Sequence, residues 1–391
     1  MTRWLLPDGI SDLLPSQAGA LEALRRRLLD HYAACGYEMV VPPLIEYLDA
    51  LMVASGSDLD LKTFKLVDQL SGRTLGVRAD ITPQVARIDA HLLQGREVTR
   101  LCYCAPVLQA RPAGLGASRE PIQIGAELYG VEGEQADIEA IDLLLASLGI
   151  AGIVRARLDL SDLRLVQLVL ADLPGVDESA LFAAMRSRDL PGLDALLANA
   201  SSARAASALK GLARCFGQVD EVLSEASRLL APWPQAEARL VQLAHICAAP
   251  RIRRHLSATG IEIGLDFADV PRFRYHTGLG FSVYVEGHAQ AIGRGGRYDG
   301  VGKVFGRARS ATGFSLDLRE LVGLGEHRPL APAILAPWSD DPALLERIDA
   351  LRQGGEVVVQ ALPGQSPNEP GKRVDRFLQH LDGAWRVVER M

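Results

Sequence analysis

The sequence predicts an α+β fold in which an antiparallel sheet is flanked by helices. Helix-like and strand-like segments are mixed without the regular βαβ rhythm of a parallel sheet. From about residue 163 to residue 256 the composition shifts to Leu, Ala, Arg and Glu, which indicates a helical insertion. After about Glu326 prolines punctuate the chain. We therefore expect a core domain at 1–326 and a small C-terminal α/β domain at 327–391.

The bulk composition argues against several classes of protein. The chain has 391 residues, of which 48% are hydrophobic and 23% are charged, and its formal net charge is −6. Because phosphate binding usually recruits a basic surface, this balance argues against a nucleic-acid-binding protein. The longest apolar run, Leu143 to Val154, is shorter than the about 20 residues of a membrane span. We expect no export and no membrane association.

The cysteines indicate a reducing compartment. The five cysteines are an odd number and lack the spacing of metal-binding motifs. Since disulfides are rare inside reducing cells, we interpret these residues as thiols of a cytoplasmic protein. Cys102 and Cys104 share one face of a predicted strand, which favours buried structural thiols. We predict no metal site and no cofactor.

The first elements of the core are a helix and a strand. Apolar residues recur at helical spacing between Ser16 and Gly36, which predicts an amphipathic helix with a polar cap and a glycine stop. Tyr37 to Val41 is typical of a short strand. Pro42 and Pro43 end it, so we expect it at a sheet margin or an interface.

A hairpin, a helix and a further strand are predicted next. Leu101 to Leu108 and Ile122 to Tyr129 are strand-like and are joined by a loop rich in Gly and Pro. Ala136 to Leu148 follows a helical pattern. Val154 to Leu160 alternates apolar and charged residues, as a half-buried strand does.

After the insertion, a second group of antiparallel strands is predicted to close the core. Its members are Ile261 to Phe267, Leu279 to Glu286 and His288 to Gly293. The last of them leads into a glycine-rich segment, Gly293 to Gly300. In the C-terminal domain, two short strands are expected around one helix. They are Ala333 to Leu335 and Glu356 to Gln360, around Pro342 to Leu351.

Individual chemical motifs leave the function open. The glycine-rich segment could cradle phosphate, although such turns between strands are more often only turns. Asp80 and Glu127 could be paired carboxylates, but a pair named without geometry is mostly coincidence. His276 could act as a base, and a structural histidine is the more common reading.

Three segments taken in order resemble histidyl-tRNA synthetases. Val77 to Thr82 is similar to their Leu-Arg-Pro-Glu-Gly-Thr segment, and Gln123 to Gly130 is similar to their Gln-Leu-Gly-x-Glu-x-x-Gly strand. Gly295 to Asp299 is identical to their Gly-Gly-Arg-Tyr-Asp motif. The resemblance spans Gly36 to about Leu324, apart from the insertion. It implies a class II aminoacyl-tRNA synthetase core that dimerises through its first motif, near Pro42.

The same resemblance locates three missing arginines. The family's second motif ends in Arg-Pro, and anchoring it here places Leu108 where the ATP-contacting arginine stands. Its catalytic arginine aligns with Pro271, and the ATP-binding arginine of its third motif aligns with Glu320. Removing one preorganised donor costs about 10²–10³ in rate, and a carboxylate facing a triphosphate adds repulsion. We therefore expect no catalytic residues and no independent catalysis.

The amino-acid side of the predicted site is retained. A carboxylate can hold an ammonium group or an imidazolium, and Gln and Thr can complete the hydrogen bonds of a small polar pocket. Two positions depart from the family, since Asp80 is one methylene shorter than a glutamate and His276 replaces a tyrosine. The residues that the resemblance assigns to a histidine-type pocket are Asp80, Thr82, Gln123, Glu127, Tyr275 and His276.

This combination resembles the regulatory subunits of ATP phosphoribosyltransferase. The chain after Glu326 is too short for a normal anticodon-binding domain, so no tRNA binding is expected. The resemblance implies a hetero-oligomer with the short-form catalytic subunit, in the first step of histidine biosynthesis, with histidine as a feedback effector. Two alternatives stay open, namely a divergent active histidyl-tRNA synthetase and an amino-acid-sensing module for another partner.

Overall fold

The protein is described here from a computed structural model that covers residues 5–52, 60–112, 114, 116–270, 276–288, 290–325, 332–364 and 374–389. The chain divides into two compact units, Met1–Glu326 and His327–Met391. Among the described residues, no helix is both long enough and apolar enough to cross a membrane.

The first unit is built on two sheets. Its strands are β1 (Glu38–Met39), β2 (Ile45–Tyr47), β3 (Phe64–Val67), β4 (Thr74–Val77), β5 (Thr99–Pro106), β6 (Ile122–Tyr129), β7 (Ala156–Asp162), β8 (Phe216–Gln218), β9 (Glu262–Asp266), β10 (Leu279–Val285), β11 (Gly293–Arg297) and β12 (Ala311–Asp317). Within the described residues, the large sheet has the order β1-β5-β6-β12-β11-β10-β7-β9-β8, and the small sheet has the order β2-β4-β3.

The large sheet is mostly antiparallel, but not throughout. The pairs β5·β6, β6·β12, β12·β11, β11·β10 and β10·β7 are antiparallel. The pairs β1·β5 and β7·β9 are parallel. The expectation of a purely antiparallel second group was therefore wrong at β9. A parallel partner needs a long crossover, and the helical insertion between β7 and β9 supplies it.

One predicted strand is a turn. The segment His288 to Gly293 was expected to be a strand, but the amide of His288 donates a hydrogen bond of 3.1 Å to the carbonyl of Val285, three residues earlier, which is the pattern of a turn. The strand β11 begins only at Gly293. The glycine-rich segment is therefore a central strand, paired on both sides, and not a phosphate-cradling loop.

The helices of the first unit lie before, within and after the sheet. They are α1 (Pro15–Ala34), α2 (Leu48–Met52), α3 (Thr82–Arg87), α4 (Glu134–Ala151), α5 (Leu163–Leu170), α6 (Glu178–Arg186), α7 (Leu190–Leu196), α8 (Ala203–Leu212), α9 (Val219–Leu230), α10 (Gln235–Ala248), α11 (Pro250–Thr259) and α12 (Leu318–Leu324). A π-helical turn, Ile88–Leu92, continues α3, and a 3₁₀ turn spans Val301–Phe305.

The insertion is packed into the core. Leu181 of α6 and Leu209 of α8 belong to the same buried apolar cluster as Leu158 of β7. It also contributes β8, which pairs with β9 at the end of the large sheet, so the expectation of a wholly helical insertion was wrong at this strand. Three residues between helices carry too little periodicity to reveal an edge strand, because their pairing is tertiary.

Helices cover one face of the large sheet. Ile124, Phe281 and Phe314 point into the cluster formed with Leu28 of α1 and Leu144 of α4. Since side chains alternate along a strand, the neighbours of these residues point to the opposite face. A second buried cluster, which includes Ile81, Val85, Tyr103, Tyr129 and Tyr298, holds α3 against that opposite face.

The second unit is a small α/β sheet. Its elements are β13 (Ala333–Ala336), α13 (Pro342–Gln353), β14 (Val358–Gln360), β15 (Val374–Leu381) and β16 (Ala384–Glu389), with the strand order β14-β13-β15-β16. The hairpin β15–β16 was not predicted from the sequence. Its turn, Asp382-Gly383, has positive φ at both residues, as a tight type I′ hairpin requires, and this dipeptide was the signal that could have found it.

Candidate functional site

A cavity of about 500 Å³ lies on the face of the large sheet opposite α1 and α4, next to the start of α3. Its lining includes side chains from β6, β10, β11 and β12, together with Asp80 and Thr82 at the start of α3. The glycines of the central strands create the space. A side chain at Gly313 would collide with the carboxylate of Glu127, so this position needs glycine.

Glu127 lies at the centre of a ring of hydroxyl groups. Its Oε1 accepts hydrogen bonds from Oγ1 of Thr82 at 2.9 Å and from the hydroxyl of Tyr103 at 3.1 Å. Its Oε2 accepts from the hydroxyl of Tyr298. The side chain is 1% exposed, and burial raises the pKa of this carboxyl to about 8, against the opposing effect of the hydroxyl donors.

Asp80 and Gln123 form the adjoining wall. Nε2 of Gln123 donates to Oδ1 of Asp80 at 3.2 Å, and Oε1 of Gln123 accepts from the amide of Ile81 at 2.9 Å. The amide of Thr82 also donates to Oδ1 of Asp80, at 3.3 Å. Gln123 on β6 therefore fixes the position of the loop before α3, which carries Asp80.

His276 completes this end of the cavity. Its ring meets the ring of Tyr298 edge-on, with centroids 6.4 Å apart and planes at 78°. Burial, and then the positive charge of Arg294, lower the pKa of His276 to about 4, so the imidazole is neutral at physiological pH. Tyr275 and Pro271, two further predicted positions, lie outside the described residues.

The third-motif position, Glu320, lies on the cavity wall. Its Oε2 lies 3.1 Å from Nε2 of His288, which lines the cavity from the turn after β10. The neighbouring Arg319 is used elsewhere, because its guanidinium contacts Oε2 of Glu120 at 3.2 Å and the carbonyl of Ser11 at 3.1 Å. A one-residue shift of the motif therefore does not bring an arginine into the cavity from α12.

The second-motif position, Leu108, follows β5. Its amide donates to the carbonyl of Arg78 at 3.0 Å. Among the described residues of this segment, the cavity is lined by Gln109, not by Leu108. The guanidinium of Arg78 does not substitute, since it donates to the carbonyls of Pro106 and Pro42 at 2.9 and 2.7 Å.

The described lining of the cavity carries far more acid than base. Its carboxyl groups belong to five residues, Asp80, Glu127, Asp269, Asp317 and Glu320. Its permanent cations in the described ranges are Lys62 and Arg294. Arg294 is already paired, with NH1 at 3.2 Å from Oδ1 of Asp269. A triphosphate would meet net negative charge here, whereas an ammonium group would be attracted.

The sequence reasoning missed three residues that line the cavity, Tyr298, Arg294 and Asp269, and one residue behind it, Tyr103, which contacts Glu127. Tyr298 belongs to the matched Gly-Gly-Arg-Tyr-Asp motif and could have been found there. Finding Tyr103 required the register of β5 and β6. Finding Arg294 and Asp269 required the tertiary contact between β11 and the chain that follows β9. The motif arginine, Arg297, is structural, because it forms a buried ion pair with Asp137 at 3.0 Å.

Across the described ranges, no group of three or more His, Cys, Asp and Glu side chains could hold a metal ion. The carboxylates of the cavity are engaged by hydroxyl, amide and guanidinium donors, which suits an organic ligand with several hydrogen-bonding groups.

Comparison with known proteins identifies the family to which this fold belongs. The family profile described as histidyl-tRNA synthetase matches residues 9–321, and the profile described as ATP phosphoribosyltransferase subunit HisZ C-terminal domain matches residues 331–388. Proteins named ATP phosphoribosyltransferase regulatory subunit from Cupriavidus necator and Burkholderia cenocepacia are each 49% identical to this chain. The matches cover 99% of both chains in the first case and 100% of both in the second.

Solved structures agree with this placement. The crystal structure of an ATP phosphoribosyltransferase regulatory subunit/histidyl-tRNA synthetase from Bacillus halodurans is 26% identical, with a TM-score of 0.80 over 93% of this chain and 94% of that one. A histidyl-tRNA synthetase from Nostoc, 16% identical with a TM-score of 0.76 over 100% and 97% of the two chains, shares the fold.

The fold and the cavity therefore define a class II aminoacyl-tRNA synthetase-like protein of the histidyl type. The α+β class predicted from the sequence is confirmed. The chain belongs to the family of ATP phosphoribosyltransferase regulatory subunits. It is accordingly a regulatory, non-catalytic subunit associated with histidine biosynthesis.

Proposed function

We propose that this chain joins the short-form catalytic subunit of ATP phosphoribosyltransferase in a hetero-oligomer and conveys histidine feedback to it. Histidine is proposed to occupy the cavity. The observation that carries the proposal is the contrast between its two ends. One end carries Asp80, Thr82, Gln123 and Glu127, and the other presents Glu320 where a nucleotide would need an arginine.

The amino-acid end suits a zwitterion with a second nitrogen-containing group. Asp80 offers a carboxylate to an ammonium group, and Glu127 offers a buried carboxyl group at the same end. The side-chain amide of Gln123 donates to Asp80 and accepts from the backbone amide of Ile81, just before α3. His276, neutral at physiological pH, adds a nitrogen that can donate or accept without adding charge. These groups support histidine as the ligand.

The nucleotide end argues against aminoacyl-adenylate chemistry. Glu320 stands at the third-motif position and pairs with His288, so this wall is occupied by a contact within the protein. At the three positions where the family has arginines, each worth about 10²–10³ in rate, Leu108, Pro271 and Glu320 offer no cation to the charge that develops on the α-phosphate. Binding without turnover is the remaining use of the cavity.

Feedback requires two states of the assembly. A ligand shifts a conformational equilibrium only by its difference in affinity for the two states. The hydroxyl ring of Glu127 joins β6, β5, β11 and α3 at a single carboxylate. Ligand binding at this point alters the contacts of four elements together, which supports a change that reaches the partner.

Self-association is a further part of the proposal. The chain around Pro42 exposes a set of large apolar side chains, which we name the first-motif surface. Its members are Met39, Val41, Leu44, Ile45 and Tyr47. Val41 is 75% exposed, although it is apolar and next to two prolines. We propose that this surface forms a dimer interface, that tRNA is not a partner and that the protein acts in the cytoplasm.

Reconstitution with a short-form catalytic subunit tests the proposal. We expect the two purified chains to co-migrate in size-exclusion chromatography, phosphoribosyl transfer to depend on this chain, and histidine to inhibit the mixture. Neither co-migration nor a change in activity would overturn the proposed partnership and favour a sensing module for another protein. Histidine-dependent ATP–pyrophosphate exchange by this chain alone would instead indicate an active synthetase.

A further inference from the structure

We infer that Arg294 recognises the carboxylate of the amino acid in the cavity and so selects free α-amino acids over their decarboxylated or reduced analogues. The inference rests on the proposed function, because it assigns one contact of the proposed ligand. A cation for that carboxylate is not expected from the aligned catalytic position, which is Pro271.

The register of the sheet places Arg294 beside the amino-acid end. Arg294 pairs with Ser282 of β10 and with Ser315 of β12. Two residues further along β11, Gly296 pairs with Gly313, which itself pairs with Glu127. Arg294 and Glu127 therefore lie on the same face of the sheet, two strands and one two-residue step apart.

The spacing fits an amino acid between the two side chains. Strands about 4.8 Å apart and a rise of about 3.3 Å per residue put the Cα atoms of Arg294 and Glu127 about 12 Å apart. Both side chains line the same cavity of about 500 Å³, and Gly313, which lies between them on this face, has no side chain of its own. A separation of this size can be bridged by one small zwitterion that contacts both side chains.

Asp269 holds Arg294 in place without using all of its donors. NH1 lies 3.2 Å from Oδ1 of Asp269 and donates to Oγ of Ser282 at 2.9 Å, while NH2 is 3.4 Å from the hydroxyl of Tyr284. A guanidinium carries five N–H donors in a fixed plane, so contacts of this kind on one side leave donors for a second carboxylate. The side chain of Arg294 is 38% exposed, which leaves it accessible from the cavity.

The pair also explains why a carboxylate is favoured over a polyphosphate. Arg294 and Asp269 together carry no net charge, and the Asp269 carboxyl has a lowered pKa from the nearby Arg294 charge, so it stays ionised at neutral pH. A neutral pair can donate hydrogen bonds to one carboxylate. It offers no excess positive charge to balance a triphosphate.

Calorimetry with matched ligands tests the inference. L-Histidine and L-histidinol share the ammonium and imidazole groups, but histidinol has an alcohol in place of the carboxylate. We expect wild-type protein to bind histidine about 10- to 100-fold more tightly than histidinol, since a charged hydrogen bond is lost. Arg294→Met should bind the two ligands equally, and Arg294→Lys should restore part of the difference.

Lys62 provides the matched control, because it is the other described permanent cation on the cavity wall. Lys62→Met should keep the preference for histidine. The double variant Asp269→Asn/Arg294→Met avoids an unpaired carboxylate, so it decides the test if the single variant unfolds, as thermal melting would show.

Each outcome has a distinct meaning. A preference for histidine that persists in Arg294→Met, or that is lost in Lys62→Met instead, overturns the assignment and leaves the proposed function intact. Equal binding of histidine and histidinol by wild-type protein overturns it as well. If wild-type protein binds neither ligand, both the assignment and the proposed histidine site are wrong.

Discussion

Oγ1 of Thr82, the first residue of α3, donates a hydrogen bond of 2.9 Å to Oε1 of Glu127 on β6. The contact is buried, and it fastens the loop that carries Asp80 to the central sheet. Tyr103 and Tyr298 donate to the same carboxyl. Glu127 is therefore both the proposed ligand-binding group and a structural joint, and its substitution should be read with both roles in view.

Replacing Glu127 by Ala should abolish histidine binding while the chain still assembles. The substitution removes the buried carboxyl group that we propose contacts the ammonium or imidazole group of the ligand, and it leaves the first-motif surface untouched. Isothermal titration calorimetry should show affinity reduced by at least about 100-fold, in keeping with loss of a buried charged contact. Glu132→Ala, which removes an exposed carboxylate from the turn after β6, is the control. Unchanged binding in Glu127→Ala would remove this residue from the site.

Glu127 should also make stability fall with rising pH. Burial raises its pKa from 4.5 to about 8, so between these values the folded state holds a proton that the unfolded state releases. Stability from this group is fully present below about pH 4.5 and is lost as pH rises to about 8, at up to about 1.4 kcal/mol per pH unit. Glu127→Gln removes the titration.

Thermal melts of wild type and Glu127→Gln from pH 5 to pH 8 measure this effect. As pH increases, the melting temperature of the wild type should fall relative to that of Glu127→Gln. Glu132→Gln should follow the wild-type profile, because its carboxylate is exposed. Parallel profiles for wild type and Glu127→Gln would contradict a raised pKa of the buried Glu127 carboxyl.

Gly313→Ala should damage both fold and cavity. A Cβ at this position overlaps Oε2 of Glu127 and approaches the carbonyl of Ala126. Overpacking of a buried site costs typically about 1–3 kcal/mol, and displacement of Glu127 should weaken histidine binding. Gly323→Ala is the matched control, since a Cβ there meets no atom within 4 Å. Chemical denaturation measures the free energy of unfolding of both variants. Equal values would show that β12 and Glu127 shift to accept the added methyl group without cost.

Glu320→Arg should not create an adenylating enzyme. The change restores the sign of charge at the third-motif position and breaks the contact with His288, but Leu108 and Pro271 still lack their arginines. Two missing donors leave the rate lower by about 10⁴ or more. Histidine-dependent ATP–pyrophosphate exchange should stay at background in wild type and variant. Exchange in the variant alone would mean that Glu320 was the single block.

Val41→Asp should disrupt the proposed dimer. In a dimer, a carboxylate on the first-motif surface would lose its hydration against apolar neighbours. In the monomer it stays hydrated, so the substitution disfavours association. Sedimentation velocity should show a shift from dimer to monomer at micromolar concentration. Val241→Asp replaces a valine that is 48% exposed on α10 and should leave the mass unchanged. A wild-type chain that sediments as a monomer would remove the interface altogether.

Long, periodic segments were the part of the fold that the sequence predicted well. The helix predicted from Ala136 to Leu148 is observed as Glu134–Ala151, and the strand predicted from Ile122 to Tyr129 is observed with those bounds. The strand β8 and the hairpin β15–β16 escaped prediction. In β8 only three residues are extended, and their conformation is stabilised by pairing with β9.

Ordered motifs brought Asp80, Thr82, Gln123 and Glu127 into one candidate site, and the structure places these four side chains at one cavity. Their role as histidine ligands stays a prediction. The charge pair of Arg294 and Asp269 could not be derived in the same way. Neither residue belongs to a matched motif position, and their contact depends on where the chain after β9, which carries Asp269, lies relative to β11.

By itself, the sequence determined the class of fold, the family and the identity of the residues at the arginine positions, because these are properties of order and spacing along the chain. Only the tertiary structure decided the protonation of Glu127 and the surroundings of Glu320. A carboxyl titrates according to its burial and its donors, and those donors come from residues far apart in the chain, as with Tyr298 and Glu127, 171 positions apart.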